Sequence, residues 1–456
     1  MSEAADFERL SREIQAFSSP GIQPGLERTS RLLQLLGSPE REFRSIQLLG
    51  TNGKGSTAAT IESICLAAGL RTALYTSPHL VSLSERLRIA GERLPIETWR
   101  GAVRRVEEAV ESDEIFLAGS TGRPTFFESL TAACVLMMRN SGVDIAVIEA
   151  GMGGRYDATS VCGASAALIT PIGMDHMEYL GDTLEAIASE KFAAIRPGVP
   201  AFYAADDERL SLLFERECEA IGALCFLLGR LASPRNVRCT LDGTTFDFAA
   251  RDGTIIHGLR TPLAGAHQAF NASNAITALL SLKNLSGFGE IFPGLRAVDE
   301  RAIMEGLLSV DWPGRMEVLR RGPGTPPLIL DGAHNEHGFR ALFDSLRSLV
   351  DGGAAGDVGA VVFAVMRDKD LSPIADLLRA LGAPVFCTEA PTRRALPAAE
   401  LASQLRWAGC RVGGTLGDPL EAIDAATAAS ASDELVVCCG SLFLVGAVKL
   451  GISENN

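Results

Sequence analysis

Within Gly50-Thr51-Asn52-Gly53-Lys54-Gly55-Ser56-Thr57, one lysine and two adjacent hydroxyl side chains stand among closely spaced glycines. Glycines let the backbone turn so that successive N–H groups face phosphate oxygens, and a helix starting there adds its positive end. Gly53 and Gly55 would supply that freedom, Lys54 would reach the β- and γ-phosphates of a nucleotide, and Ser56 or Thr57 would assist a metal ion. The strict P-loop pattern is not met: Leu48 stands where the first glycine belongs, and Gly55 follows the lysine. The alternative is an ordinary glycine turn, but a strand before the segment and a helix after it favour phosphate. Nucleotide binding follows from this motif; the reaction does not.

Three more residues suit metal chemistry. Glu149 closes the apolar run Ile145-Ala146-Val147-Ile148. A carboxylate at the carboxyl edge of a strand, beside a phosphate loop, is a usual holder of Mg²⁺; a solvated strand-end glutamate is the plain alternative. His176, one of six histidines, follows a strand ending at Thr170, in Gly173-Met174-Asp175-His176. A lone histidine is more often structural than a ligand. Lys191 shares a helix face with Leu184, Ile187, Ala188 and Ile195, in a helix capped by Asp182-Thr183-Leu184-Glu185 and stopped by Pro197-Gly198. An inward lysine either snorkels to solvent or stays buried with a lowered amine pKa. A neutral amine can take up CO₂ and become a carbamate, an anion able to hold metal. The pattern leaves both outcomes open.

Such residues need a frame that gathers strand ends. From about residue 43, short apolar runs alternate with helical patterns, the signature of parallel α/β folds. Strands are expected at 45–49, 144–150 and 166–170, with a helix over about 56–68 behind the glycine loop. A β-rich stretch at about 235–262 predicts a small antiparallel sheet. Asp311-Trp312-Pro313-Gly314-Arg315 reads as a linker, because Pro-Gly breaks helix and strand alike. The alternation then restarts, with strands at 328–330, 360–365, 384–387 and 434–439 and a helix from about His337. The fold class is α/β: a larger nucleotide-binding domain joined to a smaller doubly wound one.

The 456 residues suffice for two or three domains. With 47% hydrophobic and 21% charged residues the chain reads as globular, and a net charge of −14 excludes a general nucleic-acid or anionic-membrane binder. Small anionic substrates are not excluded, since a few cations in one cleft outweigh the total. The opening MSEAADFERL carries charges where a signal peptide needs an apolar core, and no apolar run nears the ~18 residues of a membrane helix. Ten cysteines without a CxxC spacing read as buried free thiols, consistent with a cytoplasmic protein.

The form GTNGKGS resembles the phosphate loop of the folylpolyglutamate synthases, members of the wider Mur ligase superfamily, and the remaining motifs extend the resemblance. It runs from Pro24-Gly25-Leu26-Glu27-Arg28 to about residue 449. The resemblance implies an N-terminal P-loop Mur-ligase-type ATPase domain with the folate site over 1–310. A linker at 311–315 and a C-terminal Rossmann-like glutamate ligase domain over 316–456 would follow. Glu149 leads a family-like glycine-rich stretch, Glu149-Ala150-Gly151-Met152-Gly153-Gly154. His176 is implied as a ligand of a second Mg²⁺, and Ser77, in Thr76-Ser77-Pro78-His79-Leu80, as a further metal contact. Ile187-Ala188-Ser189-Glu190-Lys191 matches the segment that carries a carbamylated lysine, which favours the buried reading of Lys191. Asn271, in Gly265-Ala266-His267-Gln268-Ala269-Phe270-Asn271, takes the adenine-contacting place, although by itself it could equally cap a helix. Arg315 matches an arginine that reaches nucleotide phosphates, and Asp331, in Asp331-Gly332-Ala333-His334-Asn335, another nucleotide contact. Asp368-Lys369-Asp370 and Gly440-Ser441-Leu442-Phe443-Leu444 are also family-like, and His334 and Ser441 fall on the glutamate side. Thr125-Phe126-Phe127-Glu128 and Tyr156-Asp157-Ala158 match segments near the pterin, and alanine at 158 leans toward the bifunctional type. Ser84 and Ser160 depart from the asparagines of the family pattern.

The implied reaction is ATP-dependent ligation of L-glutamate to dihydropteroate, or to the tail of a reduced folate, through an acyl phosphate, with ATP and Mg²⁺ as cofactors. Lys54, Lys191 and His176 would be the catalytic set. A cell-wall Mur-type ligase acting on another carboxylate is the competing enzyme, but only ~40 residues precede the loop where such enzymes carry an extra domain. A nucleotide-binding module without turnover is the competing non-enzyme; Glu149, His176 and Lys191 together argue against it. A monomer is expected, with no nucleic-acid or membrane partner.

Overall fold

The computed structural model describes residues 3–118, 122–205, 207–286 and 290–454. The chain forms two compact units. The first comprises 1–233, 248–256 and 271–309; the second comprises 234–247, 257–270 and 310–456.

The first unit is built on an eight-stranded sheet. Its strands are β1 (Ser45–Leu49), β2 (Thr72–Tyr75), β3 (Leu87–Ile89), β4 (Glu92–Arg93), β5 (Ile145–Glu149), β6 (Ala166–Ile169), β7 (Pro200–Tyr203) and β8 (Leu224–Leu227), in the order β4-β3-β2-β5-β1-β6-β7-β8. β2, β5, β1, β6, β7 and β8 run parallel. β1 and β5 are buried along their whole length, which is why β5 reads as a continuous apolar run up to Glu149 and β1 as a mostly apolar one rather than an alternating pattern. β3 and β4 add an antiparallel edge, joined through Ala90 and Gly91. Both turn residues have positive φ, 51° and 82°, as a two-residue hairpin turn requires.

Helices cover both faces. Glu3–Phe17, Ile96–Ser112 and Phe126–Asn140 bury Phe7, Trp99 and Leu130 in one core. Leu184–Phe192 and Glu208–Ile221 close another around Ile187, Phe192 and Phe214. Because β2, β5, β1 and β6 are neighbours and parallel, the loops leaving their carboxyl ends lie side by side. Ser77, the glycine loop and His176 lie in three of these loops, and Glu149 is the last residue of β5, where the fourth begins.

β9 (Ala232–Thr240), β10 (Gly243–Ala250) and β11 (Ile255–Thr261) form a separate three-stranded sheet. β9 and β10 are separated only by Leu241 and Asp242; a connection that short joins antiparallel strands only, as expected for 235–262.

In the second unit β12 (Glu317–Leu319), β13 (Leu328–Leu330), β14 (Val358–Phe363), β15 (Val385–Cys387), β16 (Val412–Thr415) and β17 (Leu435–Cys439) are ordered β12-β13-β17-β14-β15-β16. All but β12 run parallel. Helix Glu336–Asp351 buries Phe339, Leu342 and Leu346 against this sheet.

All ten cysteines are unpaired, and eight are buried as expected; Cys225 is exposed and Cys239 half-buried. No described helix is long and apolar enough to cross a membrane.

Candidate active site

The glycine loop starts where β1 ends. Gly50 has φ 129°, and a side chain there would strike Thr170, whose carbonyl oxygen lies 2.8 Å from the Cβ position. Gly53, at φ 85°, heads helix Lys54–Ala67 in the left-handed region, open to glycine at little cost. Thr51 ties the loop to the segment after β6: its N–H donates to Pro171 and its hydroxyl to Gly173. Lys54 folds back over the loop, its Nζ donating to the carbonyls of Gly50 (3.2 Å) and Thr51 (3.0 Å). Ser56 and Thr57 are buried in the first turn, and Thr57 Oγ1 has no hydrogen-bond partner.

Lys191 does not snorkel. It is 4% exposed, and its Nζ donates to the Gly50 carbonyl at 2.8 Å. Burial, with the Lys54 charge adding to it, lowers its pKa to about 7, while Asp175 and Asp157 pull weakly the other way. His176 sits at φ 52° before helix Met177–Leu180. Its side chain is half-exposed, with Nε2 4.0 Å from Asp175 Oδ2. Asp175 is the more enclosed of the pair and faces Lys191 electrostatically, an environment that its place in a loop beside His176 does not show in the sequence. Asn271 lies inside helix Ala266–Asn284 rather than capping it. It is buried, and its Oδ1 lies 2.7 Å from the Cβ position of Gly53, so its amide is held against the glycine loop.

Glu149 is buried at the end of β5, with Oε2 accepting from the Ser77 backbone N–H at 3.3 Å. Ser77 and Pro78 are joined by a cis peptide bond. The loop that follows is held by Glu85, whose carboxylate accepts from the N–H groups of Leu80, Val81 and Ser82 at 2.6, 3.0 and 2.9 Å. Arg86, also missed in the sequence, donates from Nε to His79 Nδ1 at 3.0 Å and lies over the Phe126 ring at 6.0 Å. Burial and then the Arg86 charge push His79 down to about 4, and burial lowers Arg86 itself. Ser84, one of the departures from the family pattern, bonds Ser82 Oγ at 3.0 Å.

No group of three or more His, Cys, Asp or Glu side chains able to hold a metal occurs among the described residues. Mg²⁺ needs no such cage, being held typically through one or two carboxylates together with substrate phosphates. Glu149 is enclosed and bonded to Ser77, and Ser56, Ser77 and Thr57 bear hydroxyls in the segments that follow β1 and β2, the strands flanking β5; oxygen donors of this kind suit a hard cation.

The segments matched to the pterin side have distinct roles. Thr125 caps helix Phe126–Asn140 in a reciprocal capping box with Glu128. The Phe127 ring packs on Gly151, with Cζ 2.7 Å from that residue's Cβ position, and stacks with Tyr75 at 6.3 Å. Tyr156 is exposed. Asp157 is buried, which raises its pKa against the hydrogen bonds it accepts. Those come from Thr159 Oγ1 (2.6 Å), Thr159 N (3.0 Å) and Met152 N (2.8 Å). Ala158 is buried beside it.

In the second unit, Asp331 uses both carboxylate oxygens on backbone N–H groups, of Met316 and Ala333, each at 2.8 Å. Arg315 bonds the Gly314 carbonyl at 3.3 Å and packs against Gly332. His334 Nδ1 lies 2.8 Å from the Gly332 carbonyl, so that nitrogen carries a proton. Ser441 is buried and accepts from Phe443 N at 3.1 Å at the head of helix Leu442–Glu454. Asp368 is paired with Arg394.

The family model described as Mur ligase middle domain matches residues 49–279, and that described as Mur ligase, glutamate ligase domain matches 314–442. The dihydrofolate synthase/folylpolyglutamate synthase of Bacillus subtilis is 31% identical over 94% of this chain and 95% of its own length. That of Escherichia coli is 30% identical over 95% and 93%. Among solved structures, Mycobacterium tuberculosis folylpolyglutamate synthase complexed with ADP aligns with a TM-score of 0.85 at 29% identity, covering 98% of each chain. Escherichia coli FolC in complex with DHPP and ADP aligns with a TM-score of 0.82 at 26% identity over 100% of each. A glycine loop on the central strand, matches to both Mur ligase models and similarity along nearly the whole chain lead to one assignment: the chain belongs to the dihydrofolate synthase/folylpolyglutamate synthase family of ATP-dependent, Mur-type ligases.

Proposed function

We propose that this enzyme joins L-glutamate to dihydropteroate and to the glutamate tail of reduced folates. The observation that carries this reading is the convergence of Lys54 and Lys191 on the Gly50 carbonyl, with Asn271 against Gly53 in the same loop. Lys54 and the N–H groups of Gly53, Gly55, Ser56 and Thr57 receive the phosphates, and Asn271 receives the adenine edge. Arg315 and Asp331 are further nucleotide residues, and His334 and Ser441 face glutamate. Thr125, Phe126, Phe127, Tyr156, Asp157 and Ala158 accommodate the pterin, and Ala158 with the bifunctional relatives favours both activities in one chain.

Substrate carboxylate attacks the γ-phosphate, with Lys54 balancing the charge on the transferring group. The α-amine of glutamate then attacks the acyl phosphate, releasing phosphate and forming the amide. Ser77, Glu149, His176 and a carbamylated Lys191 would hold Mg²⁺, which supplies charge neutralisation at the phosphates. Lys191 suits carbamylation because an amine with a pKa near 7 is substantially neutral at physiological pH. We assign the enzyme to the cytoplasm as a monomer.

The test is ATP- and Mg²⁺-dependent incorporation of labelled glutamate, with dihydropteroate and tetrahydrofolate in separate reactions. Product from both supports the bifunctional assignment, and product from one restricts it. Absence of product with ATP still bound rejects the folate substrates. Substrate carboxylate labelled with ¹⁸O should pass one label into phosphate; unlabelled phosphate rejects the acyl phosphate.

A further inference from the structure

Gln47 sits in the middle of the central strand β1, between Ile46 and Leu48, and is 2% exposed. A buried amide in a parallel sheet core is costly unless its donors are satisfied. Here both N–H bonds of Nε2 are used: one donates to Thr159 Oγ1 at 2.9 Å, the other to Ser160 Oγ at 3.1 Å. Each of those hydroxyls has a single proton, and each proton is committed onward. Thr159 Oγ1 donates to Asp157 Oδ1 at 2.6 Å, and Ser160 Oγ donates to the Gly154 carbonyl at 2.6 Å. Both hydroxyls therefore accept from Gln47, which fixes the orientation of its amide.

The result is a forked chain of hydrogen bonds from the strand that ends in the glycine loop to two points of the loop leaving β5. One prong ends on the carboxylate of Asp157, which also accepts backbone N–H bonds, among them those of Met152 and Thr159. The other ends at Gly154, packed so closely on helix Leu184–Phe192 that a Cβ there would lie 2.7 Å from the Lys191 carbonyl. Arg155 ties the same loop to that helix through Glu190, at 2.7 Å. Ser160, a departure from the family pattern, is thus a member of this fork.

We infer that Gln47 is a positioning residue for the pterin end of the substrate, acting through Thr159 and Ser160 on the Asp157–Gly154 loop. The inference rests on the proposed placement of the pterin at residues 156–158. A residue that only fills the core would, on exchange for an apolar side chain of similar volume, lose stability with the hydrogen bonds of Thr159 and Ser160 but leave the KM values of the three substrates alike. A positioning residue would set the pterin substrate apart.

The experiment compares the full-length enzyme with Gln47→Leu, Thr159→Val, the Gln47→Leu/Thr159→Val pair and Asp157→Ala, using whichever pterin substrate the enzyme accepts. Expected is a rise of about tenfold in KM for the pterin substrate in Gln47→Leu, with KM for ATP and for glutamate within about twofold. Thr159→Val, which cuts the prong to Asp157 and spares the one through Ser160, should give a rise in the same substrate, and the pair should fall short of the product of the two single effects because they share the Gln47–Thr159 bond. Unchanged pterin KM in both single variants, or a proportional loss across all three substrates, overturns the inference. If Gln47→Leu does not fold, Thr159→Val and the milder Ser160→Ala carry the same comparison. Asp157→Ala separates the two levels. If it leaves pterin KM unchanged, the pterin placement fails and this inference with it. If it alone raises that KM, only the role of Gln47 falls.

Discussion

The side-chain nitrogens of Lys54 and Lys191 share one acceptor, the Gly50 carbonyl oxygen, at 3.2 and 2.8 Å. Two like charges facing one dipole in a buried place are costly, and the cost falls on the more buried of them, Lys191, whose pKa is lowered to about 7. In the unfolded chain the same amine titrates near 10.4. Below pH ~7 both states are protonated and the folded protein bears the whole penalty. As pH rises from ~7 toward ~10.4 the unfolded chain binds the extra proton and the penalty fades. In CO₂-depleted buffer, Lys191→Met should therefore melt several degrees above wild type at pH 6, with the difference shrinking as pH rises. A difference that grows with pH would contradict the burial of the amine.

The same variant should lack ligase activity, because methionine cannot form a carbamate. For the wild type, ¹³CO₂ should give one slow-exchanging carbamate resonance near neutral pH that Lys191→Met lacks. A spectrum identical in the two proteins would remove the carbamate from the metal set.

Glu149 offers an enclosed carboxylate hydrogen-bonded by Ser77 N–H. Glu149→Gln preserves that bond but removes the anion a cation needs. The Mg²⁺ concentration for half-maximal activity should rise by about tenfold or more, while melting temperature changes little. An unaltered Mg²⁺ titration would show that the carboxylate serves the loop rather than the metal.

Gly53→Ala tests the loop itself. A non-glycine residue at φ 85° costs roughly 1–2 kcal/mol, and its Cβ would lie 2.7 Å from Asn271 Oδ1. KM for ATP should rise about tenfold. Adding Asn271→Ala should not restore it, since the backbone strain remains.

Much of this arrangement was legible in the sequence, because the parts that show there are periodic. Ser45–Leu49 and Leu328–Leu330 emerge at the expected bounds, and 144–150 and 434–439 trim by a residue or two to Ile145–Glu149 and Leu435–Cys439. These strands are buried, which favours apolar side chains at most positions, with Gln47 and Glu149 as hydrogen-bonded polar exceptions. Asn271 by itself could cap a helix, yet its helix begins five residues earlier, at Ala266. The helical period leaves Lys191 open, because it gives the face of a residue and not the depth of the neighbours that cover it. Arg86, His79 and Asp175 sit in loops and short turns, which carry no period, and Arg86 meets Phe126 and Glu149 only through the fold. The grouping of 234–247 and 257–270 with the second unit likewise leaves no local trace.

Arg28 and Glu128 form a buried ion pair, with side chains 9% and 6% exposed. The guanidinium approaches in a fork: Nε donates to Oε2 at 3.0 Å and a terminal nitrogen to Oε1 at 2.9 Å. Glu128 Oε2 also accepts from Thr125 N at 2.7 Å, so one carboxylate both anchors the N-terminal segment and closes the cap before Phe126 and Phe127. Removing the arginine leaves a buried, unbalanced anion, and such a loss costs about 3–5 kcal/mol. Arg28→Ala should lower the urea midpoint by that equivalent, whereas Arg28→Met with Glu128→Leu, which removes both charges and keeps volume, should recover part of it. Because the cap carries the two phenylalanines, Arg28→Ala should also raise KM for the pterin substrate below its melting temperature while KM for ATP holds. A urea midpoint equal to wild type would mean that the pair is solvated in solution, and the link from Arg28 to the phenylalanines would have to be abandoned.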